Sequence, residues 1–375
     1  MKRTGILLLT LLMCLSSLSS ALADRTLRIT FTGDVTLGSE ENKKNREESF
    51  NSFVKREGYG YFFRKVKDLF EADDLTVVNL EGVLSDSARN ENKKKTYRFR
   101  GPTEYVQILK EASIEACAIS NNHTKDFGKQ GYNSTRKTLK DAGIDYFGAE
   151  EYFIFEKDGI QIAFFALVST IVQGHQTWGK EITAKLREEG VDAVVVCIHV
   201  GQEYDPHHNI TQKRYAEMAL SNFGADLVIM HHPHVLQGVE IMNNRTVCYS
   251  LGNFCFGGNA KVRALETMIV QAELDFTDDG TYKGQRLRFY PAYTCSSAAA
   301  VGDPNDYQPT LVTGDAGLAV MQLVQNDTDF ELGLYDEEAG CLTLPYLPAE
   351  ERETDTVTGG AGTDEEPLTL EVAKE

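Results

Sequence analysis

Three histidines in four residues, His231, His232 and His234 around Pro233, form the densest cluster of metal-binding side chains in this 375-residue sequence. Neutral imidazole and carboxylate oxygen both suit Zn²⁺, Mn²⁺ or Fe, and a carboxylate can bridge two ions roughly 3.5–4 Å apart. Asp34, Glu81, Asn122 and His199 supply the remaining acid, amide and imidazole groups that two such ions need. Taken singly, several have plainer explanations. Asp34 behind Gly33 suits a turn, Glu81 before Gly82 a solvated loop acid, and His199 at the end of an apolar run a buried histidine. The cluster at 231–234 is the hardest to explain without a metal. An extended backbone would put the rings of His232 and His234 on one side, and Pro233 favours that conformation at His232.

All of these residues stand where apolar, β-rich runs end. The runs cover 27–32, 75–78, 116–120, 162–167, 193–198, 227–230 and 247–250, several of them nearly continuous in apolar residues, as strands covered on both faces are. Between them, apolar residues recur at three-to-four spacing over 61–70, 103–112, 131–142 and 212–223, and Gly143 and Gly224 fall where helices should stop. The alternation predicts an α/β domain, in which sites form at the carboxyl ends of strands. Five such ends would gather Asp34, Glu81, Asn122, His123, His199, His232 and His234 around one mouth. The polar stretch 39–55 reads as an exposed loop or insertion.

Composition narrows the function. With 38 Lys+Arg against 56 Asp+Glu the net charge is −18, which excludes a protein that coats nucleic acid, since phosphate backbones need clustered cations. Residues 1–23 read as a secretory signal: Lys2 and Arg3, a short apolar run, and the small-residue site Ala21-Leu22-Ala23. That predicts a secreted or cell-surface location and a mature chain from about Asp24; left uncleaved, the segment would be an anchor. A folded domain over 24–347 and an acidic, disordered tail over 348–375 complete the division. Outside the signal, six dispersed cysteines form no disulfide framework, and Cys295 with Cys341 is the pair to test for a bridge.

The order of the motifs carries a resemblance. Gly33-Asp34-Val35, Asn79-Leu80-Glu81, Asn121-Asn122-His123 with Asp126-Phe127-Gly128, His199-x-Gly201-x-Glu203-Tyr204, His231-His232-Pro233-His234-Val235 and Tyr249-Ser250-Leu251-Gly252-Asn253-Phe254 occur in the order seen in the CapA family of capsule, or poly-gamma-glutamate, synthesis proteins. The resemblance spans 27–256. It implies a metallophosphatase-like sandwich of two β-sheets flanked by helices, similar to the calcineurin-like phosphoesterases, with two divalent ions. Asp34 and His234 would hold the first ion, Asn122, His199 and His232 the second, and Glu81 would stand where the phosphoesterases have a bridging Asp. His123 matches their histidine that aids substrate and leaving group, and Asn122 accompanies it. The phosphoesterase motif Asp-x-His is not kept, because Val35 and Thr36 follow Asp34.

The implied function is an exported protein of capsule polymer synthesis or export, working with membrane-bound polyglutamate synthesis components on an anionic polymer or phosphoester. A secreted metal-dependent hydrolase of phosphoester or amide bonds is the alternative, and a metal-free binding module a third. Glu203, Tyr204, Asn253 and Arg100 are the candidate substrate contacts, Asn253 also as a support behind the metal ligands. Arg98, like Arg100, could meet an anionic ligand but by default reads as a surface residue, as do His175, His207 and His208, and Trp178 reads as either cleft lining or packing.

Overall fold

In the computed structural model, which describes residues 25–148 and 151–349, the chain forms the expected α/β sandwich. The signal segment and nearly all of the acidic tail lie outside the described residues. The strands that matter are β1 (Arg25–Thr36), β2 (Leu75–Leu80), β3 (Ala116–Ala118), β4 (Asp145–Phe147), β5 (Phe153–Lys157), β6 (Ile160–Val168), β7 (Ala193–His199), β8 (Leu227–His231), β9 (Val239–Met242), β10 (Arg245–Cys248), β11 (Asn253–Phe256), β12 (Glu266–Phe276) and β13 (Tyr282–Tyr293). One sheet runs β13-β12-β1-β2-β3-β4, with β11 parallel to the end of β1. The other runs β9-β10-β8-β7-β6-β5.

In each sheet the central strands are parallel: β1, β2 and β3 in the first, β6, β7 and β8 in the second. Parallel strands are normally buried on both faces, which explains their near-continuous apolar runs. Ile29, Phe31 and Val77 of the first sheet pack against Phe164, Val195 and Ile229 of the second in one shared core. The first sheet's outer face is covered by helices α1 (Phe50–Glu57), α2 (Val106–Glu111) and α3 (Gly128–Ala142), through Phe50, Leu109 and Leu139. Helices α4 (Gln176–Glu188) and α5 (Ile210–Asn222) cover the second through Leu186 and Ala216. Trp178 packs there against Phe165 and Phe223. Gly143 ends α3 with φ of 73°, a left-handed cap open to glycine.

Several expectations are corrected. β1 continues to Thr36, so Asp34 lies within a strand rather than after one. The stretch 39–55 is not all loop: Ser49 caps α1, accepting a hydrogen bond from the Ser52 amide, and Phe50 and Val54 are buried. The span 61–70 is a turn followed by a short helix, Lys67–Glu71, with Phe62 and Phe63 both buried in the turn. The hairpin β12–β13, the longest ladder among the described residues, was not anticipated. Cys295 and Cys341 are both free thiols, so they form no bridge; Cys295 packs with Val262 and Leu265 instead. Among the described residues no helix is long and apolar enough to cross a membrane.

Candidate metal centre

The parallel strands of both sheets deliver their carboxyl ends to one edge of the sandwich. From the first sheet come Asp34 in β1, Glu81 just after β2, and Asn122 and His123 after β3; from the second, His199 at the end of β7 and His232 and His234 after β8. The backbone around the acids is fixed. The Asp34 amide donates to the Gly252 carbonyl at 2.9 Å, and a Cβ on Gly33 would lie 2.2 Å from that same oxygen, so only glycine permits the approach. The Glu81 amide donates to the Val35 carbonyl at 2.8 Å, and the Thr36 hydroxyl donates to the Glu81 carbonyl at 2.8 Å.

Glu81 is the hub. Its Oε1 lies 3.6 Å from His123 Nε2, 3.7 Å from His199 Nε2 and 3.9 Å from His234 Nε2. His199 Nε2 is 3.0 Å from Asn122 Oδ1 and 3.1 Å from His232 Nδ1, and Asp34 Oδ2 is 3.1 Å from His234 Nδ1. The last pair is close but not aligned for a hydrogen bond, and both of its atoms are buried without a partner. Both oxygens of Glu81 and Oδ1 of Asn253 are likewise buried and unpartnered. Asn253 stands opposite Asp34 in the β1–β11 ladder.

Burial sets the charge states. It pushes the Glu81 carboxyl well above the usual range, a push that His234 opposes and Asp34 reinforces. Burial acts the same way on Asp34, but His234, His231 and His199 outweigh it and hold that carboxyl below its ordinary value. Burial lowers His199, His232, His231 and His123, keeping these imidazoles neutral, the form that binds metal. His234 differs: burial disfavours its cation, yet Glu81 and Asp34 raise it to about 9. Two fully buried acids thus have little beyond one imidazolium to compensate them, and unpartnered buried carboxylate oxygens are costly.

Divalent ions fit this donor set. Two donors each about 2.1 Å from a shared ion stand about 3.0–3.4 Å apart, close to the separations found here. The ligand atoms of Asp34, Glu81 and His199 lie within 4.8 Å of one another, as do those of Glu203, His232 and His234. Glu203, expected as a substrate contact, therefore sits among possible ligands. His232, Asn122 and Glu203 form the solvent-facing rim over the buried acids.

The histidine pair converges by a route the sequence reading did not foresee. The backbone at His232 is not extended: φ is 107° there and 60° at His234, both left-handed. Such conformations are costly for side-chain-bearing residues and collect at functional sites. His231 faces away, its Nε2 donating to the Thr32 carbonyl of β1 at 3.0 Å, which ties the two sheets together. Asn79, quoted only as part of a motif, turns out to be central: its amide donates to Asp34 Oδ1 at 2.8 Å and lies 3.2 Å from His199 Nδ1. Asn121 supports it, donating to the Leu80 carbonyl at 2.9 Å. Asp126 orients His123, with Oδ2 2.6 Å from Nδ1, and Lys95 pairs with its other oxygen. The three-residue spacing of His123 and Asp126 was the available signal.

Of the remaining candidates, Tyr204 lies beside His234, its ring tilted at 42° with centroids 5.9 Å apart. Arg100 is buried and engaged by Glu41 and the Ser85 carbonyl, and Arg98 pairs with Glu91. His208 is not a free surface residue: it stacks on Tyr249 and bonds Asp327 at 2.9 Å.

The chain is similar to several known proteins. The capsule biosynthesis protein CapA of Bacillus anthracis is 30% identical over 280 residues, covering 68% of this chain and 65% of that protein. The PGA biosynthesis protein CapA of Bacillus subtilis is 27% identical over 288 residues, covering 70% and 71%. This chain thus aligns with less than two thirds of the length of the B. anthracis relative. Among solved structures, the calcineurin-like phosphoesterase YfkN of Bacillus subtilis overlays with a TM-score of 0.43 at 14% identity, over 81% of this chain and 98% of that one. Residues 28–258 match the model of the bacterial capsule synthesis protein PGA_cap. That stretch runs from inside β1 to just past β11 and takes in every residue of the acid–imidazole cluster, so the chain belongs to the bacterial capsule synthesis protein family.

Proposed function

We propose that this protein acts in the synthesis or export of a poly-gamma-glutamate capsule at the cell surface, through a centre of two divalent ions, Mn, Zn or Fe. Asp34, Glu81, Asn122, His199, His232 and His234 would hold them. The observation that carries the reading is the set of buried, unpartnered oxygens on Asp34 and Glu81, ringed by mostly neutral imidazoles. When bound, divalent ions supply Lewis acidity and a water acidic enough to ionise near neutral pH. The protein's own part is to fix the donors through Asn79 and to present His123 Nε2 as a proton acceptor, with Nδ1 donating to Asp126. An N-terminal signal would deliver the chain outside the cytoplasm, where membrane-bound polymer-synthesis components are its expected partners. Elemental analysis tests the centre: the wild type should carry bound metal, and Asp34→Ala and His234→Ala should lose most of it. Metal-free wild type after incubation with Mn²⁺, Zn²⁺ and Fe²⁺ would refute the reading.

The His123–Asp126 pair favours a second reading, a secreted hydrolase, because an oriented neutral imidazole 3.6 Å from the hub carboxylate can take a proton from water at Nε2 and then pass it to a leaving group. Turnover of a generic phosphoester with Mn²⁺, lost in His123→Ala at unchanged metal content, would support it.

A further inference from the structure

An acidic substrate approaching acidic residues needs a cation at the mouth, and most candidates there are already engaged. Lys95 is held by Asp126, Arg98 by Glu91, and Arg100 by Glu41. Arg263 differs. Among the described residues it forms no ion pair; its guanidinium lies 5.8 Å from the ring centre of Tyr97 and 5.6 Å from that of Tyr204, and Nη1 donates to the Tyr204 hydroxyl at 3.3 Å. The Tyr204 ring in turn lies tilted against that of His234, their centroids 5.9 Å apart. Arg263 therefore stands one tyrosine away from the candidate metal centre, on the solvent side.

The arrangement is held in place from both sides. The Val262 amide donates to the Asp303 carbonyl at 2.9 Å, the Gly302 amide donates to the Val262 carbonyl at 2.8 Å, and Val262 and Leu265 anchor the segment in a small apolar cluster. Tyr204, whose backbone is left-handed with φ of 62°, is fixed by the hydrogen bond its backbone N–H donates to the Pro233 carbonyl at 2.7 Å. A planar guanidinium seated against aromatic rings keeps donors available to a second, anionic partner, and its fork matches an oxyanion. Position 263 lies beyond the stretch that matches the family model.

We propose that Arg263, seated between Tyr97 and Tyr204, is the residue that takes the oxyanion of the substrate, a carboxylate or a phosphate, and presents the substrate to the metal centre. This rests on the reading of the acid–imidazole cluster as the working site. The test is calorimetric titration of the full, metal-loaded chain with a gamma-linked glutamate oligomer and, separately, with inorganic phosphate, for wild type, Arg263→Gln, Arg263→Lys and Tyr204→Phe. Metal content and melting temperature are followed alongside.

Arg263→Gln should weaken oligomer binding at least about tenfold, as loss of a charge-assisted hydrogen bond does, with metal content and melting temperature unchanged. Arg263→Lys, which keeps the charge but not the fork, and Tyr204→Phe, which loses the bond to Nη1, should fall between. Should wild type bind phosphate but not the oligomer, and Arg263→Gln weaken the phosphate, the oxyanion site stands and the polyglutamate reading fails. Equal binding by wild type and Arg263→Gln, or no binding of either anion by wild type, overturns the proposal.

Discussion

Replacing Glu81 by Gln should have opposite effects on the metal-free and metal-bound protein. Glu81 is fully buried with neither oxygen hydrogen-bonded by another protein group, and burial pushes it toward the protonated form. A buried polar group without a partner costs about 1–3 kcal/mol, so a neutral amide of the same shape should cost the metal-free fold nothing or stabilise it slightly. The bound state depends on the charge. An ion at one hundred times its dissociation constant adds about 2.7 kcal/mol of stability per site. At about 2.1 cal/mol/K per residue over the roughly 320 described residues, the unfolding entropy is about 0.7 kcal/mol/K, so each site should raise the melting temperature by about 4 °C. The assay is thermal melting in chelator and in saturating Mn²⁺ or Zn²⁺. Wild type should gain about 4–8 °C from metal, and Glu81→Gln should match or exceed wild type in chelator yet gain little from metal. A variant that falls by the same several degrees in both conditions would make Glu81 a structural acid and refute the reasoning.

Asn79→Ala should weaken metal binding about 10–100-fold while the protein stays folded, because the Asn79 amide orients both Asp34 and His199; metal titration checks it. Gly33→Ala should destabilise the protein by about 1–3 kcal/mol in denaturant melts, since the new Cβ meets the Gly252 oxygen. Glu115 gives a pH test away from the site: burial, opposed by the Thr76 amide and reinforced by Asp73, pushes its carboxyl up to about 7. A raised acid favours the fold while protonated, so that stability should decline as pH rises from about 4.5 to about 7. Glu115→Gln should remove the decline and gain up to about 1 kcal/mol at pH 8, the group being partly open to solvent.

Much of this centre was legible in the sequence because each strand's apolar run stops at a polar residue, and parallel strands all stop at one edge. That placed Asp34, Glu81, Asn122, His199, His232 and His234 together. What could not be read was how side chains support one another across long separations. Asn79 reaches His199 120 residues away, and its amide has no periodicity to betray it. The left-handed turn at His232 runs against the extended preference of a residue before proline, so local propensity pointed the wrong way there and tertiary context prevailed. Helix α1 was missed because a polar stretch hides three buried positions, Phe50, Asn51 and Val54. Arg263, held by two tyrosines and without an acidic partner among the described residues, was missed for a related reason: nothing in sequence distinguishes it from Arg98 or Arg100, which pair with Glu91 and Glu41.

The placement of the donors also says how the fold and the centre depend on each other. Asp34, Glu81 and Asn122 belong to one sheet, and His199, His232 and His234 to the other. The apolar core already joins the sheets through Phe31, Val77, Phe164 and Val195, and His231 adds a direct bond to Thr32. The sandwich therefore needs no ion to exist. At the edge, however, the core gives way to charge, and the facing groups there are acids and imidazoles separated by more than a hydrogen bond around Glu81. An ion bound at that edge would cross-link the two sheets where apolar packing ends. Metal should then protect the amides of Asp34, Glu81, Val200 and Tyr204 from hydrogen exchange while leaving those of mid-strand residues such as Val195 and Ile229 unchanged.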